Sequence, residues 1–214
     1  MAKGKLIIVS GFSGVGKGTV ISELRRRHPD EYAFSVSATT REPRFTEEEG
    51  KDYYFVDEDE FERMILDHEL LEYTRYGYNY YGTPRGPIEK MQSEGKNIIL
   101  DIEVNGMQQV TANVEKALTV FVIPPSCEEL IQRLRGRGTE DEDQVRTRLS
   151  RAIQEASFAG EYGCILKNTD IDQCVREFEA FIESGKQDKK TRLENLSLSQ
   201  EICEGIKRYI KQGD

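Results

Sequence analysis

Nine residues, Gly11-Phe12-Ser13-Gly14-Val15-Gly16-Lys17-Gly18-Thr19, follow the apolar run Leu6-Ile7-Ile8-Val9 and precede Val20, Ile21 and Leu24, which recur at helical spacing. The order is strand, glycine loop, helix. A loop of this kind turns successive backbone N–H groups and a helix N-terminus toward one point, and Lys17 adds a mobile positive charge there. The pattern therefore predicts a polyphosphate site and, with it, nucleotide binding. The competing reading is a glycine-rich turn with a chance lysine; the strand before and the helix after weigh against it. Gly18 stands where a Ser or Thr usually offers a hydroxyl to Mg²⁺, and Thr19 comes one residue later. Metal contact would then run through Thr19 or through water.

The rest of the chain extends the same architecture. Apolar runs at Ile98 to Ile102, Leu118 to Ile123 and Cys164 to Leu166 alternate with stretches that read as helices, as in a parallel α/β sheet with helices on both faces. Ser126 with Glu129 and Thr139 with Glu142 have capping-box spacing, and Gly95 and Gly185 sit where C-terminal caps are expected. Between Phe34 and Thr83 the pattern changes to short tyrosine-rich strands, Phe34 to Ser37, Tyr53 to Val56 and Asn79 to Tyr81, around one acidic helix from about Asp57 to His68. This predicts an inserted mixed α+β lobe. After Gly185 a charged linker leads to Leu193, Leu196, Leu198, Ile202, Ile206 and Tyr209, a terminal helix that packs on the body or on another subunit.

Charge and composition narrow the partners. A net charge of −9 over 214 residues argues against a general nucleic-acid binder, because sequence-independent affinity for phosphate backbones needs clustered excess Lys and Arg. No apolar stretch approaches the roughly 20 residues that span a bilayer, and Met1-Ala2-Lys3-Gly4 runs directly into a strand, so a cytoplasmic protein without membrane partners is expected. Cys127, Cys164, Cys174 and Cys203 are widely spaced, which indicates buried thiols and neither a zinc site nor a disulfide framework. Two basic clusters remain. Arg41 and Arg44 flank Pro43 just after Ser35, Ser37, Thr39 and Thr40, a composition suited to a phosphate dianion, with the Tyr53 and Tyr81 hydroxyls completing the cradle. Arg133, Arg135, Arg137, Arg146, Arg148 and Arg151 bracket the acidic turn Glu140-Asp141-Glu142-Asp143 and read as an arginine-rich lid. The plainer readings are a solvated basic loop and an exposed helix with paired charges.

With the glycine loop, Ser37-Ala38-Thr39-Thr40-Arg41-Glu42-Pro43-Arg44, Gly50-Lys51-Asp52-Tyr53-Tyr54-Phe55-Val56, Asn79-Tyr80-Tyr81-Gly82-Thr83 and Arg137-Gly138-Thr139 in this order, residues 4–185 closely resemble the guanylate kinases. The resemblance implies a P-loop kinase core (4–33 and 84–185), a GMP-binding lobe (about 34–83), an arginine lid (about 133–151) and an extension at 186–214. It implies transfer of the γ-phosphoryl group of ATP to GMP or dGMP with Mg²⁺, in support of guanine nucleotide supply.

Carried over by position, Gly11 to Thr19 would hold the ATP phosphates, with Asn168 near the adenine. Ser37, Arg41, Arg44, Tyr53 and Tyr81 would hold the GMP phosphate. Glu72, Gly82 and Thr83 would face the guanine, and Asp101 and Glu103 would meet the metal and the base. Lys17, Arg41, Arg133, Arg137 and Arg148 would carry catalysis. Thr19 and Asp101 are the metal candidates, with most of the coordination through phosphates and water, and a homo-oligomer through the extension is a further expectation.

The chain departs from the family pattern at Phe12 (usually Pro), Gly18 (usually Ser), Thr46 (usually Gly) and Glu103 (usually Asp). Two rival functions are a scaffold binding module of the same fold and a kinase for another acceptor such as adenylate or a ribose phosphate. The intact loop with Arg41 and Arg44 opposes the first, and Glu72 with Thr83 opposes the second.

Overall fold

Strand β1 (Leu6–Gly11) is buried along its whole length, as a near-continuous apolar run in a parallel sheet should be. The computed structural model describes residues 2–136 and 141–212. The chain divides into two compact units that share β1: one comprises the chain up to Ile7 with Pro29–Ala117, the other Ile8–His28 with the chain from Leu118 onward.

In the first unit the elements are β2 (Tyr32–Phe34), β3 (Ser37–Thr39), β4 (Tyr53–Phe55), α2 (Glu58–Leu66), β5 (Leu70–Tyr76), β6 (Asn79–Pro84), α3 (Arg85–Ser93), β7 (Asn97–Asp101) and α4 (Val104–Asn113), preceded in the chain by β1 and α1 (Lys17–Arg27). Strands β2, β7 and β1 are neighbours, and β2 runs parallel to β7 from Tyr32↔Asn97 to Phe34↔Ile99. A second, mixed sheet has the order β4-β3-β6-β5. The run Phe34 to Ser37, expected as one strand of the inserted lobe, is thus split. Phe34 ends a strand of the parallel sheet, and Ser37 begins one of the mixed sheet.

The mixed sheet has a small core of its own. Ala38, Phe61, Met64 and Leu70 are buried together, with Tyr54, Val56, Ile65 and Tyr80 packed against them. Phe61 stacks on Tyr80 at 5.2 Å between ring centroids. Helix α2 presents Phe61 and Met64 to this core and starts at Asp57, whose side chain accepts from Glu60 N. Its first turn is acidic, which complements the positive end of the helix dipole.

Strands β5 and β6 form a hairpin whose register slips. Leu70 pairs with Pro84 and Tyr73 with Gly82, so that Leu71 and Glu72 together oppose Thr83. This is a β-bulge, and it breaks the two-residue alternation of the strand: Leu70, Leu71 and Glu72 are buried in succession. Helix α4 packs along β5.

In the second unit, β8 (Leu118–Ile123) pairs in parallel with β9 (Cys164–Lys167), from Val120↔Cys164 to Ile123↔Lys167, with β1 on the other side of β8. Around them lie α1, α5 (Cys127–Arg135), α6 (Glu142–Ala156), a short 3-10 turn at Ala159–Glu161, α7 (Ile171–Ser184) and α8 (Lys189–Lys211). Ser126 caps α5 as its spacing foretold, accepting from Glu129 N. Thr139 lies outside the described residues, and the cap of α6 is instead Asp141, in a capping box with Gln144. Gly185 closes α7 in the left-handed conformation.

Helix α8 packs on α6, α5 and β9 of its own unit. Ile202 and Ile206 are buried, and the Asn195 amide donates to Ile165 O at 2.7 Å. Near its end, the Tyr209 hydroxyl accepts from Arg135 Nη2 and donates to Glu142 Oε2, both at 2.8 Å, joining the end of α5 to the start of α6. Cys127, Cys164 and Cys174 are buried, and Cys203 is half-buried. Burial pushes the Cys174 thiol up to about 12, so it stays protonated and behaves as an apolar side chain. Among the described residues no helix is long and apolar enough to cross a membrane.

Candidate active site

The candidate site residues fall into two groups, one in each unit. In the second unit the loop between β1 and α1 is shaped by its glycines. Gly14 and Gly16 have φ of 87° and 91°, a region that glycine enters without strain. A Cβ on Gly14 would also stand 2.4 Å from Leu134 Cδ2.

Two contacts within the loop hold the turn closed, Val15 N–H to Phe12 O and Thr19 N–H to Gly16 O, and Phe12 N–H donates to Val122 O of β8. Ser13 N–H donates to a carboxylate oxygen of Glu155 on α6 at 3.1 Å. The Val15 carbonyl is pinned from behind by two donors, Arg133 Nη1 at 2.9 Å and Asn168 Nδ2 at 2.9 Å. In a trans peptide the C=O and the following N–H point in opposite directions. Holding the Val15 carbonyl back therefore turns the Gly16 N–H outward, beside the first amides of α1, where an anion is favoured. Lys17 Nζ lies 3.5 Å from Gly11 O, folded along the same loop.

The other expected residues take the following places. Phe12 is fully buried and packs edge-on against Phe121 at 5.8 Å, so only its backbone belongs to the loop surface. Val15 is likewise buried. Arg133, expected as a lid cation, spends Nη1 and Nη2 on the carbonyls of Val15 and Asn168 and its Nε on Glu129. Asn168, expected beside the adenine, donates its amide to the Val15 carbonyl of the loop. Gly18 and Thr19 are exposed in the first turn of α1, and Arg148 is half-buried on α6. Arg137 lies outside the described residues.

In the first unit, Ser37 and Tyr53 are register partners on β3 and β4, as are Thr39 and Tyr81 on β3 and β6. The Tyr53 and Tyr81 rings meet edge to face at 6.1 Å, and the Arg41 guanidinium lies over the Tyr53 ring at 5.4 Å. Four of the five residues expected around a phosphate are thus collected; the fifth, Arg44, is exposed on the adjoining loop.

Glu47 escaped the sequence reading. Its carboxylate accepts from Arg41 Nη2 at 2.9 and 3.0 Å and from Arg44 N–H at 2.8 Å, which orients Arg41 and closes the loop. These contacts hold the Glu47 carboxyl below the usual carboxylate range. The Glu47 carboxylate, followed by hydrogen bonding to Tyr81, raises the Arg41 pKa further above neutrality. An acid three residues beyond Arg44 was the available signal.

Beyond this cradle, Glu72 is only 7% exposed, and Thr83 Oγ1 donates to its Oε1 at 2.5 Å. Burial pushes the Glu72 carboxyl above its ordinary range, the Thr83 hydrogen bond opposes the rise, and the charge of Glu103 adds to it. Gly82 is buried beside Thr83, while Asp101, at the end of β7, and Glu103, at the N-cap of α4, are exposed. A buried carboxylate oriented by a hydroxyl is an acceptor for paired N–H donors.

A glycine loop between strand and helix of a parallel sheet, joined in one chain to a basic, tyrosine-lined anion cradle, defines the class of P-loop kinases. The guanylate kinase family model matches residues 3–185. The guanylate kinase of Trichodesmium erythraeum is 46% identical over 182 residues, spanning 85% of this chain and 97% of that one. That of Thermobifida fusca is 46% identical over 178 residues, spanning 83% and 90%. The crystal structure of guanylate kinase from Anaplasma phagocytophilum superposes with a TM-score of 0.64 at 30% identity, covering 88% of this chain and 89% of that one. The chain belongs to the guanylate kinase family.

Proposed function

We propose a division of labour among the residues of this chain, whose reaction as a guanylate kinase is transfer of the γ-phosphoryl group of ATP to GMP, giving ADP and GDP. Residues 34–83 form the GMP-binding lobe, 133–151 the lid, and the remaining residues of 4–185 the core. Lys17 and the amides of the glycine loop bind the ATP phosphates. Arg133 and Asn168 act on them through the Val15 carbonyl, and Arg148 and Arg137 contribute lid cations. Ser37, Arg41, Arg44, Tyr53 and Tyr81 bind the GMP phosphate, with Glu47 orienting Arg41.

Glu72 accepts from guanine N1–H and the N2 amino group, with Thr83 as its orienting partner. Adenine presents a bare N1 acceptor at that edge and would leave the buried carboxylate unpaired. The observation that carries this reading is the buried Glu72–Thr83 pair. A good bidentate pair discriminates by about 1–3 kcal/mol, and an orphaned buried partner widens the gap.

No general base is required. The acceptor phosphate has a second pKa of about 6 and is largely dianionic at neutral pH. Alignment and neutralisation of the repulsion between two phosphates remain as the tasks of the protein, and Arg41, Lys17 and the lid arginines suit them.

Among the described residues no cluster of three or more His, Cys, Asp or Glu could cage a metal. Mg²⁺ keeps most of its waters and rides on phosphate oxygens, so the Thr19 hydroxyl and the Asp101 carboxylate, both hard oxygen donors, are the protein groups that suit it. Bound there, the ion would neutralise charge on the β- and γ-phosphates. The cytoplasm is the compartment that supplies both nucleotides. A coupled assay of ADP formation with GMP, AMP, UMP and CMP as acceptors tests the reading. Turnover selective for GMP supports it, and equal turnover with AMP rejects the role of Glu72.

A further inference from the structure

We infer that Gly106 and Gln109 on α4 are positioning residues that seat the Glu72 carboxylate and thereby set the preference for guanine over a purine lacking the exocyclic amino group. The inference rests on the reading of Glu72 as the guanine acceptor. Glu72 sits in the bulge of β5, where two residues oppose one and the ladder does not dictate where a side chain points. Strand β5 is also the edge of its sheet, and Gln109 occupies that edge. Its Oε1 accepts from Tyr73 N–H at 3.1 Å and its Nε2 donates to Tyr73 O at 2.9 Å, an amide standing in for a neighbouring strand one residue from Glu72.

One turn earlier, Gly106 leaves the space into which the carboxylate is drawn. A Cβ there would lie 2.8 Å from Glu72 Oε2 and 3.2 Å from its Cδ. Oε1 is held by the Thr83 hydroxyl, while Oε2 lies in the space that the absent Cβ of Gly106 leaves at the first turn of α4. Gly106 lies in a regular helix, where alanine is the better helix former, so Gly106→Ala does not strain the backbone. The atom most crowded is Oε2 at the end of the Glu72 side chain, with Ile102 Cδ1 next at 3.2 Å, itself the end of a flexible side chain. The fold is spared and the carboxylate moves.

Inosine monophosphate keeps N1–H and lacks the N2 amino group, so the ratio of kcat/KM for GMP to that for inosine monophosphate reads the seating of the carboxylate. In Gly106→Ala the ratio should fall about tenfold, with KM for ATP and the unfolding midpoint unchanged. Gln109→Ala should lower it in the same direction. Glu72→Asp retracts the carboxylate by one methylene, so adding Gly106→Ala to it should cost nothing further, a non-additivity that a general loss of stability would not produce. If Glu72→Gln abolishes the preference while Gly106→Ala and Gln109→Ala both keep the wild-type ratio, the inference is overturned. If Glu72→Gln itself keeps the ratio, the reading of Glu72 fails and the inference falls with it.

Discussion

Thr83 donates to Glu72 across a β-bulge at 2.5 Å, inside a region closed to solvent. A hydroxyl that aims one carboxylate oxygen leaves the remaining lone pairs of both oxygens for a ligand, so the pair acts as a preformed acceptor. Glu72→Gln replaces one oxygen by a donor that opposes the guanine N–H groups. The loss in kcat/KM for GMP should be about 1–3 kcal/mol, with KM for ATP unchanged. Steady-state kinetics with each nucleotide varied separately checks this, and equal losses for both would contradict the assignment.

The same carboxylate should leave a pH signature in stability. Burial raises its pKa in the folded state above the ordinary carboxylate range. Between the unfolded and folded values the native state holds more protons than the unfolded chain, so stability falls as pH rises through that window. Glu72→Gln removes this contribution. Its stability relative to wild type should improve as pH rises above the ordinary carboxylate range, read from urea midpoints. A flat or opposite trend would remove burial as the dominant cause.

Lys17→Ala should leave a folded protein with little turnover. Lys17 is half-exposed and its hydrogen bond to Gly11 O is long at 3.5 Å, so the unfolding midpoint should hardly change. Circular dichroism alongside the coupled assay separates the two properties, and full turnover would reject the loop as the phosphate site.

Asn168→Ala tests the pinning of the loop. The Val15 carbonyl would keep Arg133 and lose its second donor. A cost of about 1 kcal/mol in stability and a rise in KM for ATP without one for GMP are expected. An unchanged KM for ATP would mean that the loop holds its shape without the amide.

Helix α8 should behave as part of the core of its unit. Ile206 is fully buried, and Ile206→Ala should cost about 2–5 kcal/mol by denaturant unfolding. A change below about 1 kcal/mol would mark the helix as a loosely held appendage.

Much of this was legible in the residues. The four apolar runs became β1, β7, β8 and β9, the acidic segment became α2, and Ser126 and Gly185 cap helices where their spacing placed them. Each of these signals is local, acting within a few residues through burial periodicity, capping or backbone conformation. The split of Phe34 to Ser37 between two sheets was not legible, because short strands with similar residues do not announce their partners. The orientation of Arg133 and Asn168 was hidden for a related reason: charge and amide type do not say which carbonyl they meet.

Chemistry written in contiguous residues was thus legible in the sequence alone: a glycine loop of the kind that suits a polyphosphate, a basic loop with two arginines, and a carboxylate expected to face guanine. The tertiary structure decided how those groups are aimed. Glu72 depends on Thr83, 11 residues away, and on the hold that α4 has on β5 through Gln109, 36 residues from Tyr73. The Val15 carbonyl depends on Asn168, 153 residues away. Such contacts arise only after strand register and helix packing are set, and a bulge or a missing Cβ at one of them redirects a functional group without altering the local pattern that encodes it.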